Sequence, residues 1–250
     1  MTLEHDEGWT IPFDAPYYPR LPAVYRNVKF QLVLFGAPPD AIRRFLPAPL
    51  EPWPEGDCVA AGLEVPFSTA YGAFEEAFVL LPCRFRGQTG YYCSHVLHNG
   101  PAGIAAGREI YGTPKLFATV AVARSGRAMT TEASLGGTAV LRVSTVTDAE
   151  VPAAELPALA PSWRLKLIPR ADGPGPALKQ LIDCSGALRD PSVHFAGRGS
   201  GTVRFGASPE LDLTPLGPIG CRGAFYFEMS YAEHYAAIAY DFLAERPNPS

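Results

Sequence analysis

A lysine that closes a Gly/Pro turn and opens an apolar run is the residue of this 250-residue chain with the most chemistry open to it. It lies in Gly107-Arg108-Glu109-Ile110-Tyr111-Gly112-Thr113-Pro114-Lys115-Leu116-Phe117-Ala118-Thr119-Val120. Lysines are scarce here: of 21 basic residues only Lys29, Lys115, Lys166 and Lys179 are not arginine. An ordinary lysine has a pKa of ~10.4, so roughly one amine in 2,500 is neutral at pH 7. Withdrawing the amine from water disfavours its ammonium form. Lowering proton affinity about a thousandfold costs about 4 kcal/mol, which the core of a chain this size can supply. The neutral amine then attacks a ketone and forms an imine. The same pattern also describes a strand-opening lysine with its amine in solvent, and local pattern alone favours that reading.

Carboxylates are the next candidates. Glu64 lies in Gly62-Leu63-Glu64-Val65-Pro66-Phe67, with apolar residues on both sides, and Glu75 and Glu76 open another apolar run. An inward carboxylate could move a proton or orient a substrate, although half-buried strands ordinarily turn such acids to water. His95 and His98 are three apart, which on a strand places them on opposite faces, so joint metal ligation is not expected. Gly197-Arg198-Gly199-Ser200-Gly201 lacks the Gly-Lys-Ser/Thr ending of a phosphate loop and reads as a flexible turn. No Gly-x-Ser-x-Gly elbow speaks for a serine hydrolase.

The elements that would position these groups are mostly strands. With 26 prolines and 24 glycines, the chain is rich in turn-formers. Alternating or β-branched runs predict strands over Asn27–Phe35, Asp57–Val65, Glu76–Phe85, Tyr91–Leu97, Leu116–Ala123, Thr138–Thr147, Trp163–Ile168, Gly201–Phe205 and Gly223–Tyr231. Short helices are expected at Pro39–Leu46, Pro101–Ile110 and Ala177–Ile182. An amphipathic C-terminal helix is expected over Ala232–Ala244, carrying Tyr235, Ile238, Phe242 and Leu243 on one face. No linker or repeat divides the sequence, so it reads as a single domain over residues 1–250. Its Pro-rich start, about residues 1–24, reads as an extended arm on the body or on a neighbouring subunit.

Composition narrows the function classes. A net charge of −4 argues against an extended nucleic-acid footprint. No apolar run approaches the ~20 residues that span a bilayer, and the acidic start lacks the features of a secretory signal. A cytoplasmic protein is the expectation, with no membrane partner. Cys58, Cys83, Cys93, Cys184 and Cys221 include no Cys-x-x-Cys pair and read as reduced core thiols.

Several stretches, taken in order, resemble the acetoacetate decarboxylase-like family. They are Phe45-Leu46-Pro47-Ala48-Pro49-Leu50-Glu51, Asn99-Gly100-Pro101-Ala102 leading into Gly107-Arg108-Glu109, Pro114-Lys115, and Trp163-Arg164-Leu165-Lys166-Leu167-Ile168-Pro169. Tyr240-Asp241-Phe242-Leu243 resembles the family's C-terminal helix. The resemblance spans about Tyr25 to Leu243. It implies a mainly β fold of antiparallel strands forming a cone-like barrel, with few helices and a lysine deep in a pocket. It makes Lys115 the Schiff-base lysine, a chemistry for which acetoacetate decarboxylase is a standard example, and Glu64 and Glu76 two pocket carboxylates. Two positions depart from the family pattern. Leu116 stands where the decarboxylases place a second lysine. Val28 stands where an arginine helps receive the substrate carboxylate, with Arg26 two residues away.

The resemblance therefore implies a Schiff-base lyase acting on small oxo acids. The two missing cations tip the expectation toward aldol condensation–dehydration of pyruvate with an aldehyde, ahead of decarboxylation of acetoacetate. Glu76 or Glu64 would be the acid–base group. Tyr111 and Tyr240 are candidate hydrogen-bond donors to the aldehyde or hydroxyl, and Arg26 a candidate carboxylate contact. No cofactor or metal is expected, and a homo-oligomer is. A non-catalytic pocket protein that binds small oxo acids is the alternative of a different class.

Overall fold

The structure, a computed structural model, describes residues 8–244. The part of the expected arm before Gly8 lies outside them. The strands are β1 (Ala23–Gly36), β2 (Glu51–Pro52), β3 (Cys58–Val65), β4 (Phe67–Ser68), β5 (Phe74–Phe85), β6 (Gln88–His98), β7 (Lys115–Phe117), β8 (Thr119–Ser125), β9 (Ala128–Leu135), β10 (Thr138–Glu150), β11 (Ser162–Pro169), β12 (Pro176–Asp183), β13 (Leu188–Phe205), β14 (Ile219–Glu233) and β15 (Ala237–Asp241). They form one sheet in the order β15-β12-β11-β6-β5-β3-β1-β14-β13-β10-β9-β8, with β2 on β5, β4 on β1 and β7 on β6. Pairing is antiparallel except where β6 meets β7 and β11, so the sheet is mixed. Among the described residues its two ends do not pair with each other. The fold is mainly β, as expected, but the expected barrel is not closed.

Side-chain alternation divides the central strands between two cores. On β5, Ala77, Val79 and Leu81 are buried with Ala60 of β3, Val33 of β1 and residues of β8 to β10. Gln31 stitches this face to those strands. Its amide donates to Thr131 Oγ1 at 2.5 Å and to the Val143 carbonyl, and accepts from Thr145 Oγ1, so a wholly buried amide is satisfied. The other face of the same strands looks onto a cavity.

Helix α1 (Pro39–Phe45) starts on proline with Asp40 in its first turn, as the sequence implies. The expected helix at 101–110 is α2 (Pro101–Ala106), continued by a π-helical turn over Gly107–Tyr111. Three expectations are corrected. Ala177–Ile182 is strand β12, held between β11 and β15; two ladders outweigh helix propensity there. Residues 232–244 do not form a helix. β14 runs to Glu233 and Tyr240 and Asp241 end β15, while Tyr235 and Ile238 are exposed, so the supposed apolar face has nothing to cover. Gly197–Gly201 is not a turn but part of β13, where glycine permits close approach: a Cβ on Gly199 would lie 1.9 Å from the Val146 carbonyl oxygen.

The elements that set Lys115 are local. The π-helical turn ends at Gly112, with φ 71°, a left-handed value suited to glycine. A Cβ at Gly112 would meet the Lys166 backbone of β11 at 2.3 Å. Thr113 N–H then donates to the Gly107 carbonyl, and β7 lies parallel on β6 with Lys115 beside Val96. The edge of β6 is thus shared: β11 pairs at Tyr91 and Tyr92, β7 further along. Gly112→Ala is expected to lower unfolding free energy by about 3 kcal/mol, combining φ strain with a backbone clash. Urea unfolding of the variant measures this; an unchanged midpoint would show that the turn relaxes freely.

Candidate functional site

Six consecutive strands of the ladder, β11-β6-β5-β3-β1-β14, curve around a cavity of about 320 Å³. Alternation decides which side chains face it. β5 contributes Phe74, Glu76, Phe78 and Leu80, and β14 contributes Phe227, Met229, Tyr231 and Glu233, both with the period of two of a strand. β1 contributes Phe30 and Leu32, and also Tyr25, which has the other parity. A register shift between Tyr25 and Val28, with Asn27 at φ 53°, brings Tyr25 onto the cavity face.

Lys115 enters this largely apolar space from β7. Its Nζ lies 2.9 Å from Glu76 Oε2, and each side chain is only 13 % exposed. The amine also lies 5.7 Å from the Phe74 ring centroid. Burial alone would push the Glu76 carboxyl up, but the Lys115 ammonium and its hydrogen bond, together with the His98 and Arg164 side chains, outweigh it and hold Glu76 below the usual carboxylate range. Glu233 is the opposite case: burial pushes its carboxyl up despite a 2.8 Å hydrogen bond from Tyr25 Oη. The cavity thus holds one carboxyl kept ionised by a partner and one biased toward its protonated form.

The Gly-Arg-Glu motif braces the lysine through the backbone. Arg108 Nη1 donates to the Lys115 carbonyl at 3.2 Å. Glu109 accepts from Tyr18 Oη, tying the N-terminal segment to the turn. Gly107 makes room for the side chain, since a Cβ there would stand 2.8 Å from Lys115 Cε. Behind Glu76 lies His98, wholly buried, with Nδ1 3.6 Å from Glu76 Oε2. Neither ring nitrogen has a hydrogen-bond partner. Burial, with the nearby Lys115 charge, lowers the His98 pKa to about 4, so the imidazole is neutral near pH 7. His95 is turned elsewhere, toward Ser94 Oγ and the Phe45 ring.

Of the residues singled out from sequence, the structure brings Lys115 and Glu76 together. Glu64 is placed on the opposite face of β3 from Leu63, which lines the cavity. It pairs with Lys29, its direct neighbour on β1, at 2.9 Å. Tyr111 is buried beside the turn, and its hydroxyl donates to the His234 carbonyl at 2.7 Å. Tyr240 on β15 packs against Phe85 and Phe242, with the Arg86 guanidinium over its ring. Arg26 is exposed at the β1–β4 pairing. Glu64, Tyr111, Tyr240 and Arg26 all stand outside the cavity lining. Leu116, next to the lysine, is turned away from the cavity by alternation, 36 % exposed.

Reading the sequence alone missed Arg164, Glu233, Tyr25 and Tyr231, which line the cavity with Lys115. The alternation of Phe227, Met229, Tyr231 and Glu233 is visible in the sequence and could have placed Glu233 inward once Glu233 was assigned to a strand.

Comparison with known proteins bears on this arrangement. Residues 10–243 match the family model described as acetoacetate decarboxylase (ADC). Acetoacetate decarboxylase 2 of Mesorhizobium japonicum is 29% identical over 242 residues, covering 94% of this chain and 90% of the relative. A structure from structural studies of acetoacetate decarboxylase superposes with a TM-score of 0.86 at 22% identity, over 94% of this chain and 96% of its own. The enduracididine biosynthesis enzyme MppR complexed with pyruvate gives 0.79 at 20% identity, over 94% and 98%. At such identities the structural likeness speaks to the fold.

The neutral burial of His98 has a consequence for acid stability. Its folded pKa of about 4 lies below the ~6.5 of an unfolded histidine. The unfolded chain therefore binds the proton first, and stability is lost as pH falls from about 6.5 to about 4. This one group accounts for about 3 kcal/mol of that loss. His98→Asn is expected to flatten the dependence in this window, measured as unfolding free energy at pH 4.5 and 7. An unchanged slope would assign the acid sensitivity to other groups.

Proposed function

The chain belongs to the acetoacetate decarboxylase family, and on that premise we propose that it is a Schiff-base-forming lyase acting on small oxo acids through Lys115. The observation that carries this reading is the Lys115 amine, 2.9 Å from Glu76 and only 13 % exposed, inside a cavity of the size and apolar character of a small-molecule site. Glu76 holds the amine in place in the resting site and is within reach to take a proton from it.

The favoured reaction is aldol condensation–dehydration of pyruvate with an aldehyde. The neutral amine adds to the ketone carbon of pyruvate, and loss of water leaves a protonated imine. That imine is an electron sink, so the adjacent methyl group gives up a proton to a carboxylate and the C–H electron pair becomes the enamine. The enamine carbon attacks the aldehyde carbon, forming a C–C bond, while the aldehyde oxygen takes a proton. Removal of a second α-proton and departure of the protonated hydroxyl as water leave an unsaturated imine. Water then hydrolyses it, freeing the lysine and an unsaturated oxo acid. Two carboxyls with opposite pKa tendencies suit this sequence. Glu76 is ionised and beside the nitrogen. Glu233 is biased toward the protonated form and suited to protonating the aldehyde oxygen and the departing hydroxyl. The pyruvate held by the MppR neighbour supports the oxo acid chosen. Decarboxylation of acetoacetate by the same imine is the second reading, drawn from the name of the Mesorhizobium japonicum relative. There the C–C bond to the carboxylate breaks, and its electron pair flows into the imine as carbon dioxide leaves.

Borohydride added to the protein with pyruvate, or with acetoacetate, is expected to leave a stable mass increment on Lys115, located by peptide mass spectrometry. Faster labelling by pyruvate supports the aldol reading, and faster labelling by acetoacetate the decarboxylase. Lys115→Ala should abolish both labelling and turnover; turnover that survives in this variant would overturn both. Glu233→Gln is expected to retain labelling while lowering condensation rate about 100-fold, within the range for lost acid–base assistance.

A further inference from the structure

The cavity contains a cation that the Lys115–Glu76 pair does not use. Arg164, on β11, lines the cavity with Lys115, and its Nε and Nη1 are shielded from solvent without a hydrogen-bond partner. Its side-chain contact is with the Cys184 thiol, a weak acceptor. Glu233, in the same wall, is engaged by Tyr25 Oη instead. A guanidinium stays charged at any ordinary pH and presents five donors in a planar fork. Leaving such a group dry and unmatched is costly, and a carboxylate supplies the missing charge and two acceptor oxygens at once. Glu76 is paired to Lys115 and Glu233 to Tyr25, so neither carboxyl of the cavity hydrogen-bonds the guanidinium.

We infer that Arg164 is the residue that receives the carboxylate of the substrate, so that the site selects oxo acid anions over neutral ketones and aldehydes. The inference rests on the Lys115 reading for the chemistry it serves. It also moves the carboxylate contact from the β1 position, where Val28 stands, to β11 across the shared edge of β6. Lys115 on β7 and Arg164 on β11 come from neighbouring strands on one edge of β6 and line one cavity; in the inferred pose the carbonyl of the oxo acid faces the amine and its carboxylate the guanidinium. The positive charge expected at 28 or 116 is thereby supplied from a strand where the resemblance did not place it.

The test compares pyruvate with methyl pyruvate, its uncharged ester, as borohydride-trapped labels of Lys115 in the full chain and in Arg164→Met and Arg164→Lys. In the unaltered protein pyruvate should half-saturate labelling at a far lower concentration than the ester. In Arg164→Met the pyruvate value should rise about 100-fold, the scale of a lost charge-assisted hydrogen bond pair, while the ester value changes less than about threefold. Arg164→Lys should recover part of the pyruvate preference. Equal loss for acid and ester would mark a structural role and overturn the inference, as would an undiminished preference for the acid. Should Arg164→Met fail to fold, Arg164→Gln takes its place with the same expectations. Calorimetric titration with lactate, a carboxylate with no ketone to trap, separates this inference from the Lys115 reading. Lactate should bind the unaltered protein and bind Arg164→Met about 100-fold more weakly even if no imine can be trapped. No binding, or equal binding to both, overturns the role of Arg164. Absence of any borohydride label alongside Arg164-dependent lactate binding overturns the Lys115 chemistry alone.

Discussion

A charged amine and a charged carboxylate, 2.9 Å apart in a cavity walled by aromatic and aliphatic side chains, set the terms for the rest of this structure. Each ion loses hydration on entering such a space, and their mutual attraction offsets the loss only when the geometry is held closely. Neither group can hold that geometry alone. The sheet fixes Glu76 between β3 and β6, and the turn ending at Gly112 fixes Lys115 on the far edge of β6. Arg108 clips the lysine's own carbonyl. The Gly-Arg-Glu motif, six to eight residues before the lysine, therefore acts on the backbone that carries the amine rather than on the reacting atoms.

Two carboxyls of similar burial in one cavity end in different states because their neighbours differ. Glu76 has an ammonium against it, and Glu233 has a tyrosine hydroxyl. A neutral hydroxyl lowers a carboxylate's proton affinity less than an adjacent full charge does, so burial wins at Glu233 and loses at Glu76. An imine at Lys115 keeps a positive charge on that nitrogen while it is protonated, so the contrast between the two carboxyls persists through the proposed chemistry.

Much of the sheet was legible in the sequence, since period-two runs bounded by glycine and proline are strong local signals: β1, β3, β5, β6 and β14 fall within a few residues of expectation. What local signals do not carry is parity. Glu64 and Glu76 both sit in apolar strands, yet Leu63 takes the inward direction on β3 and leaves Glu64 to Lys29. The bulge at Asn27 likewise reverses the facing of Tyr25, which a strict alternation would turn outward. Residues 232–244 fail for another reason: a short, alanine-rich stretch satisfies helical and extended patterns equally, and only the β12 edge decides between them. Arg164 stands in the Trp163-Arg164-Leu165-Lys166 stretch, but its burial depends on β11 lying beside β6, a parallel pairing between distant segments that no local pattern reveals.

The order of pairing along β6 also says how the site is put together. Glu76 and Lys115 lie on β5 and β7, both partners of β6, so a single stretch of chain brings them together with short loops to close. The opposite wall does not share that economy. β1 pairs with β14, Ala23 opposite Glu233, and that ladder joins almost the two ends of the described chain. Closing so long a loop carries a larger entropic cost and slows folding. The ion pair thus rests on contacts of short sequence separation, while the cavity that dries it also needs the pairing of the last long strand with the first. Loss of the C-terminal strands would spare the proximity of lysine and carboxylate and remove the desolvation that gives their proximity its effect.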